Sequence, residues 1–177
     1  MNNKITIGLI VSNHFGVLNR IAGLYNKRGY NIDSLAVGAT EDPTLSRMTI
    51  VSSGDEYTKT QMVRQLGKLY DVKSAEVIDN DNAVFVEHLL IKLKTGTVKN
   101  SEINALVNRY GGKILDIGAD FVLADITGSP DAVGAFIERC KSIGIHELCR
   151  SGELALSTVS RHIEYDIQHN FSSVLKA

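Results

Sequence analysis

Hydrophobic positions along the chain switch between two periods, and the switches mark out its elements. In "ITIGLIV", residues 5–11, Ile5, Ile7, Leu9 and Val11 fall on alternate positions, the pattern of a strand with one buried side. After Gly16 the spacing becomes helical. Val17, Leu18, Ile21, Leu24 and Tyr25 share a stripe, and Gly29, behind Arg28, is a stop that accepts the left-handed conformation, so the spacing predicts a helix over 17–28. Two extended runs, "NIDSLAVG" and "LSRMTIVS", flank the turn "ATEDPT" and predict an antiparallel hairpin. A second helical stripe holds Met62, Val63, Leu66, Leu69 and Tyr70, and "DVKSAEVI" follows as a strand. The order is βαββαβ.

From residue 88 the same grammar runs again. "HLLIKLKT" turns Leu89, Ile91 and Leu93 inward, and Ile103, Leu106, Val107 and Tyr110 trace a helix stopped by Gly111-Gly112. "KILDIG" and "DFVLADITG" read as strands. Ser129-Pro130 is an N-cap followed by proline at the first helical position, ahead of a face made by Val133, Phe136, Ile137 and Cys140, and "IHELC" is the last predicted strand. The expected fold class is therefore α+β, two tandem ferredoxin-like βαββαβ domains over residues 1–80 and 84–158, parted by the polar "DNDNA" and followed by a tail at 159–177. In each unit, right-handed crossovers put the first and third strands at the centre of an antiparallel sheet and the second and fourth at its edges. An uncovered edge strand is a surface for pairing with another chain.

Composition narrows the partners. Of 177 residues 44% are hydrophobic, and 19 Lys and Arg balance 20 Asp and Glu, spread through both halves, so no basic field invites nucleic acid or an anionic membrane. The N-terminal apolar run is short and broken by Thr6, which reads as a strand rather than a signal or membrane span; a cytoplasmic chain is expected. Cys140 and Cys149 have no further cysteines for a zinc site or disulfide framework and are expected to be buried, reduced thiols. The histidines, His14, His88, His146, His162 and His169, form no metal-binding pattern with a carboxylate, and no bound metal is expected.

Catalytic signatures are missing too. The chain has no G-x-S-x-G elbow, no phosphate-binding G-x-x-x-x-G-K-[ST] loop and no G-x-G-x-x-G. Asp55-Glu56 and the pair Asp79 and Asp81 lie in polar connectors, where solvation accounts for them, and no catalytic residue is assigned. An RNA-binding module of this element order needs aromatics on its central strands, and "ITIGLIV" and "LSRMTIVS" contain none. Gly16, Val17 and Arg20 fit a fragment of the acylphosphatase phosphate cradle, but that family's earlier loop glycine and arginine and its late hairpin asparagine have no counterpart.

The stretch "SNHFGVLNRIAGLYNKRGYNI" holds the candidate chemistry. A helix beginning near Val17 presents unpaired backbone N–H groups and a positive dipole end, which favour a carboxylate or phosphate, and Gly16 lets a ligand approach. Asn13 and Asn31 can both donate and accept, which suits a zwitterion better than a polyanion, and the turn has no lysine. A small amino acid fits such a site. A purely structural reading stands beside it: Gly16 relieves a tight bend, Asn13 bonds locally and Asn31 caps the hairpin.

The run "NHFGVLNRIAGLYNKRGYNIDSLAVGATEDPTLSRMTIV" resembles the opening ACT domain of the acetolactate (acetohydroxyacid) synthase small, regulatory subunit family, through its Asn-x-x-Gly-Val-Leu turn, Arg-Gly-Tyr-Asn-Ile and "DPTLSRMTI". "RYGGKILDI", "DITG" and "RSG" at 150–152 resemble that family's C-terminal domain, so the likeness covers roughly residues 4–158. Arg47 and Met48 belong to the resemblance as well, although an arginine on a strand face is ordinarily a solvated or paired charge. The resemblance implies a non-catalytic subunit that activates a large catalytic subunit and confers feedback inhibition by valine in branched-chain amino-acid synthesis. It implies that the large subunit holds thiamine diphosphate, magnesium and FAD while this chain holds no cofactor. It further implies a homodimer through paired ACT domains, with L-valine, or leucine or isoleucine, at their interface. The implied ligands are Asn13, Gly16 with the backbone of Val17 and Leu18, and Asn31 with Ile32 from the partner protomer, with His14 lining the mouth and Phe15 making it bulkier. A free-standing ACT-type amino-acid sensor and an acylphosphatase-like hydrolase are the alternatives.

Overall fold

A computed structural model of the chain describes residues 3–96 and 98–159. Its elements run β1 (Asn3–Ser12), α1 (Val17–Arg28), β2 (Ser34–Ala39), β3 (Leu45–Gly54), α2 (Glu56–Leu66), β4 (Val72–Val77), β5 (Ala83–Lys94), α3 (Asn100–Arg109), β6 (Lys113–Ile117), β7 (Phe121–Gly128), α4 (Pro130–Cys140), β8 (Ile145–Arg150) and β9 (Leu154–Ser157). A single 3-10 turn at Asn80–Asn82 links β4 to β5. Two compact units result. One gathers the described residues up to Val84 together with Ala155–Val159, and the other is Phe85–Leu154.

Each unit is an antiparallel sheet with βαββαβ connectivity, in the order β2-β3-β1-β4 in the first and β6-β7-β5-β8 in the second. The first and third strands of each repeat are central, as right-handed crossovers require. The alternating residues Ile5, Ile7, Leu9 and Val11 of β1 are all buried, and with Met48 and Ile50 they meet Val17, Ile21 and Tyr25 of α1 and Met62 and Leu66 of α2. In the second unit Leu89, Ile91 and Leu93 are fully buried against Ile103 and Val107 of α3 and Val133, Phe136 and Cys140 of α4.

Shared local geometry goes beyond the order of elements. A bulge interrupts the pairing of β1 with β4 between Ile10 and Val11, and one interrupts β5 with β8 between Lys92 and Leu93. Helices α1 and α3 end alike: Gly29 and Gly111 take positive φ (68° and 71°), and the following N–H, of Tyr30 and of Gly112, donates to Tyr25 and Val107. Only glycine adopts that left-handed turn without strain.

Two expectations need correction. Tyr70 does not complete the α2 stripe, because the helix stops at Leu66 and the ring is 86% exposed under the ammonium of Lys73. Cys149 is exposed on the edge strand β8, whereas Cys140 is buried and its thiol is pushed up to about 12 by desolvation. Strand β9 was not expected; its four residues, "LALS", are too few for a convincing period. Residues 160–177, with His162 and His169, lie outside the described residues.

Candidate functional site

The chain leaves β1 at Ser12, bends through Asn13, His14 and Phe15, and enters α1 from Gly16, whose φ of 89° and ψ of -11° place it in the left-handed region. A Cβ on Gly16 would meet no atom within 4 Å. The glycine is therefore demanded by backbone conformation, and the space beside it is open. No side chain caps α1 and no acidic residue sits in its first turn. The other helices differ: Asp55 caps α2 by accepting from Thr58 N–H, Ser129 caps α4 by accepting from Ala132 N–H, and α3 carries Glu102 in its first turn. Among the helices of the described residues, α1 is thus the one with neither a capping side chain nor an acidic residue in its own first turn.

Around this opening, Asn13 donates from its backbone N–H to Thr44 O and from Nδ2 to Pro43 O (2.9 Å). Its amide oxygen has no hydrogen bond among the described residues. Leu18 is 44% exposed, while Val17 is buried in the core and offers the site only its N–H. Phe15 is wholly exposed, so within one protomer it does not cover the open space beside Gly16. His14 faces the inside of the turn, its Nδ1 3.0 Å from Phe15 O and its Nε2 3.0 Å from Asp71 Oδ1.

Asn31 and Ile32 stand elsewhere. Asn31 donates from Nδ2 to Asp33, whose other carboxylate oxygen accepts from Ser53 Oγ at 2.8 Å, and Ile32 packs on the core edge. They follow the C-terminus of α1, and a twelve-residue helix, at about 1.5 Å per residue, is roughly 18 Å long. One protomer therefore brings together Asn13, His14, Gly16, Val17 and Leu18 but not Asn31 and Ile32. A site using both groups draws them from two copies of the chain.

Asp71 is the residue that sequence reasoning missed. It lies between α2 and β4, is 2% exposed, and accepts from Arg20 Nη1 as well as facing His14. The partners are 51 and 57 positions away, so no local spacing announces them. Elsewhere, the carboxylates noted in connectors have local roles: hydrogen bonds from the Thr58 side chain and N–H hold the Asp55 carboxyl below the usual range, and bonds from the Asn82 side chain and the Asp81 N–H do the same for Asp79. Arg47 is half-buried and donates to Ala155 O at 3.1 Å, with desolvation lowering its pKa and Glu76 opposing that shift. Met48 is core. His88 meets Thr127 Oγ1 at 2.8 Å. A cavity of about 540 Å³ near the start of β1 mixes Lys4 and Lys59 with Glu56 and Asp79, and Lys59 pairs with Glu56, so no uncompensated charge there selects a ligand. Among the described residues no group of three His, Cys, Asp or Glu could hold a metal ion. No helix among them is long and apolar enough to cross a membrane.

Known proteins resemble the chain in sequence and fold. Family models described as "AHAS small subunit-like ACT domain" and "Small subunit of acetolactate synthase" match residues 7–74 and 86–159. The chain is 42% identical over 154 residues to a probable acetolactate synthase small subunit of Archaeoglobus fulgidus, covering 86% of this chain and 96% of that one. It is 35% identical over 158 residues to the acetolactate synthase small subunit of Mycolicibacterium smegmatis, covering 89% and 93%. The crystal structure of the acetolactate synthase small subunit from Thermotoga maritima superposes with a TM-score of 0.83 at 34% identity, over 90% of this chain and 99% of that one.

Proposed function

The chain belongs to the acetolactate synthase small-subunit family, and from that premise we propose that it is the regulatory partner of a large catalytic subunit, raising that subunit's activity and subjecting it to feedback inhibition by valine. Thiamine diphosphate, magnesium and FAD are left to the large subunit, and this chain performs no turnover of its own. The first unit is the valine-binding, dimerising ACT domain, and leucine or isoleucine are the nearest substitutes as effector.

One observation carries the reading: the uncapped start of α1, opened by a positive-φ glycine onto free space. The effector's α-carboxylate fits the N–H groups of Val17, Leu18 and Asn19, where the helix dipole favours negative charge. Its ammonium meets amide oxygens, of Asn13 here and of Asn31 from a second protomer, since both amides spend their NH2 groups within their own chain. The half-exposed Leu18 supplies an apolar wall. Valine thereby bridges two ACT domains and favours one dimer geometry, which the large subunit reads. A tenfold change in activity asks for only about 1.4 kcal/mol of coupling, within reach of a well-placed helix-end contact. The hydrolase alternative loses its key group, because Arg20 is engaged by a carboxylate where a phosphate cradle needs a free cation.

Mixing the purified chain with its cognate large subunit, with and without valine, tests the proposal. The chain alone should turn over neither pyruvate nor an acyl phosphate, should activate the large subunit, and should make it valine-sensitive. Gly16→Asp, one of the side chains that tolerates a left-handed backbone, should keep activation and abolish inhibition. Inhibition surviving in Gly16→Asp would show the site to be misplaced, and valine binding without any effect on the large subunit would identify a free-standing sensor.

A further inference from the structure

Nothing in the effector reading calls for a buried carboxylate beneath the turn, yet the side chain of Asp71 is 3% exposed there while its partners His14 and Arg20 are half exposed. A buried carboxylate is costly unless polar partners and an opposite charge meet it. The two partners flank the Gly16 bend, His14 two residues before it and Arg20 four after it, one turn into α1. The backbone of Asp71 holds the same corner: its carbonyl accepts from Ser12 N–H at 2.8 Å, tying the end of β1 to the entry of β4.

The second unit separates what the fold needs from what has been added. There the carbonyl of Gly144 accepts from Lys94 N–H at 2.9 Å, between the end of β5 and the entry of β8, beside the equivalent bulge. Gly144 has φ 101° and no side chain, so the corner forms without a carboxylate. The carboxylate accompanies only the helix that starts on an uncapped, left-handed glycine.

We propose that Asp71 is a positioning residue of the effector site: by bridging His14 and Arg20 across the Gly16 bend, its buried carboxylate aims the first N–H groups of α1 at the effector carboxylate. This rests on the effector reading above and assigns Asp71 no contact with the effector. By occupying Arg20, Asp71 also keeps the mouth suited to a zwitterion rather than a polyanion.

Asp71→Asn keeps the side-chain volume but removes the charge and turns an acceptor into a donor facing donors. In the reconstituted holoenzyme it should raise the half-inhibitory valine concentration about tenfold while leaving activation within about twofold. Amide hydrogen exchange on the full-length subunit should accelerate at residues 20–23, the first hydrogen-bonded amides of α1, and not in α2. Arg20→Met should act in the same direction, and the double variant should be no worse than Asp71→Asn alone, because both changes break one link. Asp71→Glu, which keeps the charge, should restore part of the sensitivity. Unchanged valine response and unchanged exchange at 20–23 in Asp71→Asn overturn the proposal, as does loss of activation with faster exchange throughout the first unit, the signature of a general packing role. If the unaltered holoenzyme ignores valine, leucine and isoleucine, the effector reading fails by itself, and exchange decides on Asp71: acceleration confined to 20–23 supports its hold on the turn, and none overturns it.

Discussion

In the first unit Ser12 N–H bonds the carbonyl of Asp71 and Asn13 N–H that of Thr44; in the second, Lys94 N–H bonds the carbonyl of Gly144 and Thr95 N–H that of Asp120. The scaffolds coincide at these bonds, at the bulges and at the glycine ends of α1 and α3. They part at the helix starts. Helix α1 begins from a left-handed Gly16 with no acidic residue in its own first turn, whereas α3 begins from Lys99 in extended conformation and carries Glu102 in its first turn. A repeated backbone thus carries two different helix starts: in one copy an acidic side chain sits at the positive helix end, and in the other the helix's first turn has none, the difference on which the proposed effector site rests. Function here lives in a few side chains grafted on a repeated frame.

The largest effect tests the shared frame. Ile7→Ala and Ile91→Ala remove fully buried side chains from equivalent central strands, and each should cost about 2–5 kcal/mol in denaturant unfolding. Losses that differ by more than that range would break the equivalence of the two cores. The corner comes next. Asp71→Ala should lower stability by about 1–3 kcal/mol, since it strips hydrogen bonds from partners that water can partly reach. Gly144→Ala should cost about 1–2 kcal/mol for a different reason, a Cβ forced to positive φ at 3.0 Å from the Lys94 side chain. If Gly144→Ala is harmless in thermal unfolding, the second corner is not conformationally specified.

Helix starts provide a sharper contrast. Ser129→Ala should destabilise α4 by about 1 kcal/mol, as loss of a cap does. Asn19→Glu adds the missing acid to the first turn of α1 and should stabilise the subunit by about 0.3–1 kcal/mol while weakening valine inhibition. Greater stability with undiminished inhibition would remove the conflict between capping and binding. The smallest effect is chemical and leaves the fold intact. A thiol reagent at neutral pH should modify exposed Cys149 quickly and reach Cys140 only on unfolding, because Cys140 is buried and its thiol is raised to about 12. Mass spectrometry of the labelled chain reads both rates.

How much of this was legible depends on the range of the signal. The inward faces of β1 and β5, the bounds of α1 and the Ser129 cap follow from residues a few positions apart, and the structure reproduces them. Tyr70 misled because its spacing continues the α2 stripe while Gly67 and the following turns end the helix. Cys149 misled because cysteine is usually buried, whereas β8 is an edge strand whose burial depends on what lies beside it. Within the site, Asn13, Gly16 and Leu18 were readable as a turn leading into an amphipathic helix.

The sequence alone determined the repeated βαββαβ order, the inward faces of the strands and the glycine-led start of α1, because each is encoded by neighbours that interact through backbone sterics and side-chain period. Only the tertiary structure decided that Asp71 closes on His14 and Arg20, that Phe15 stands exposed to solvent, and that Asn31 lies a helix length from Gly16. Those relations join residues whose distance is set by strand order and by the packing of α1 and α2 on one sheet, and no local pattern carries them.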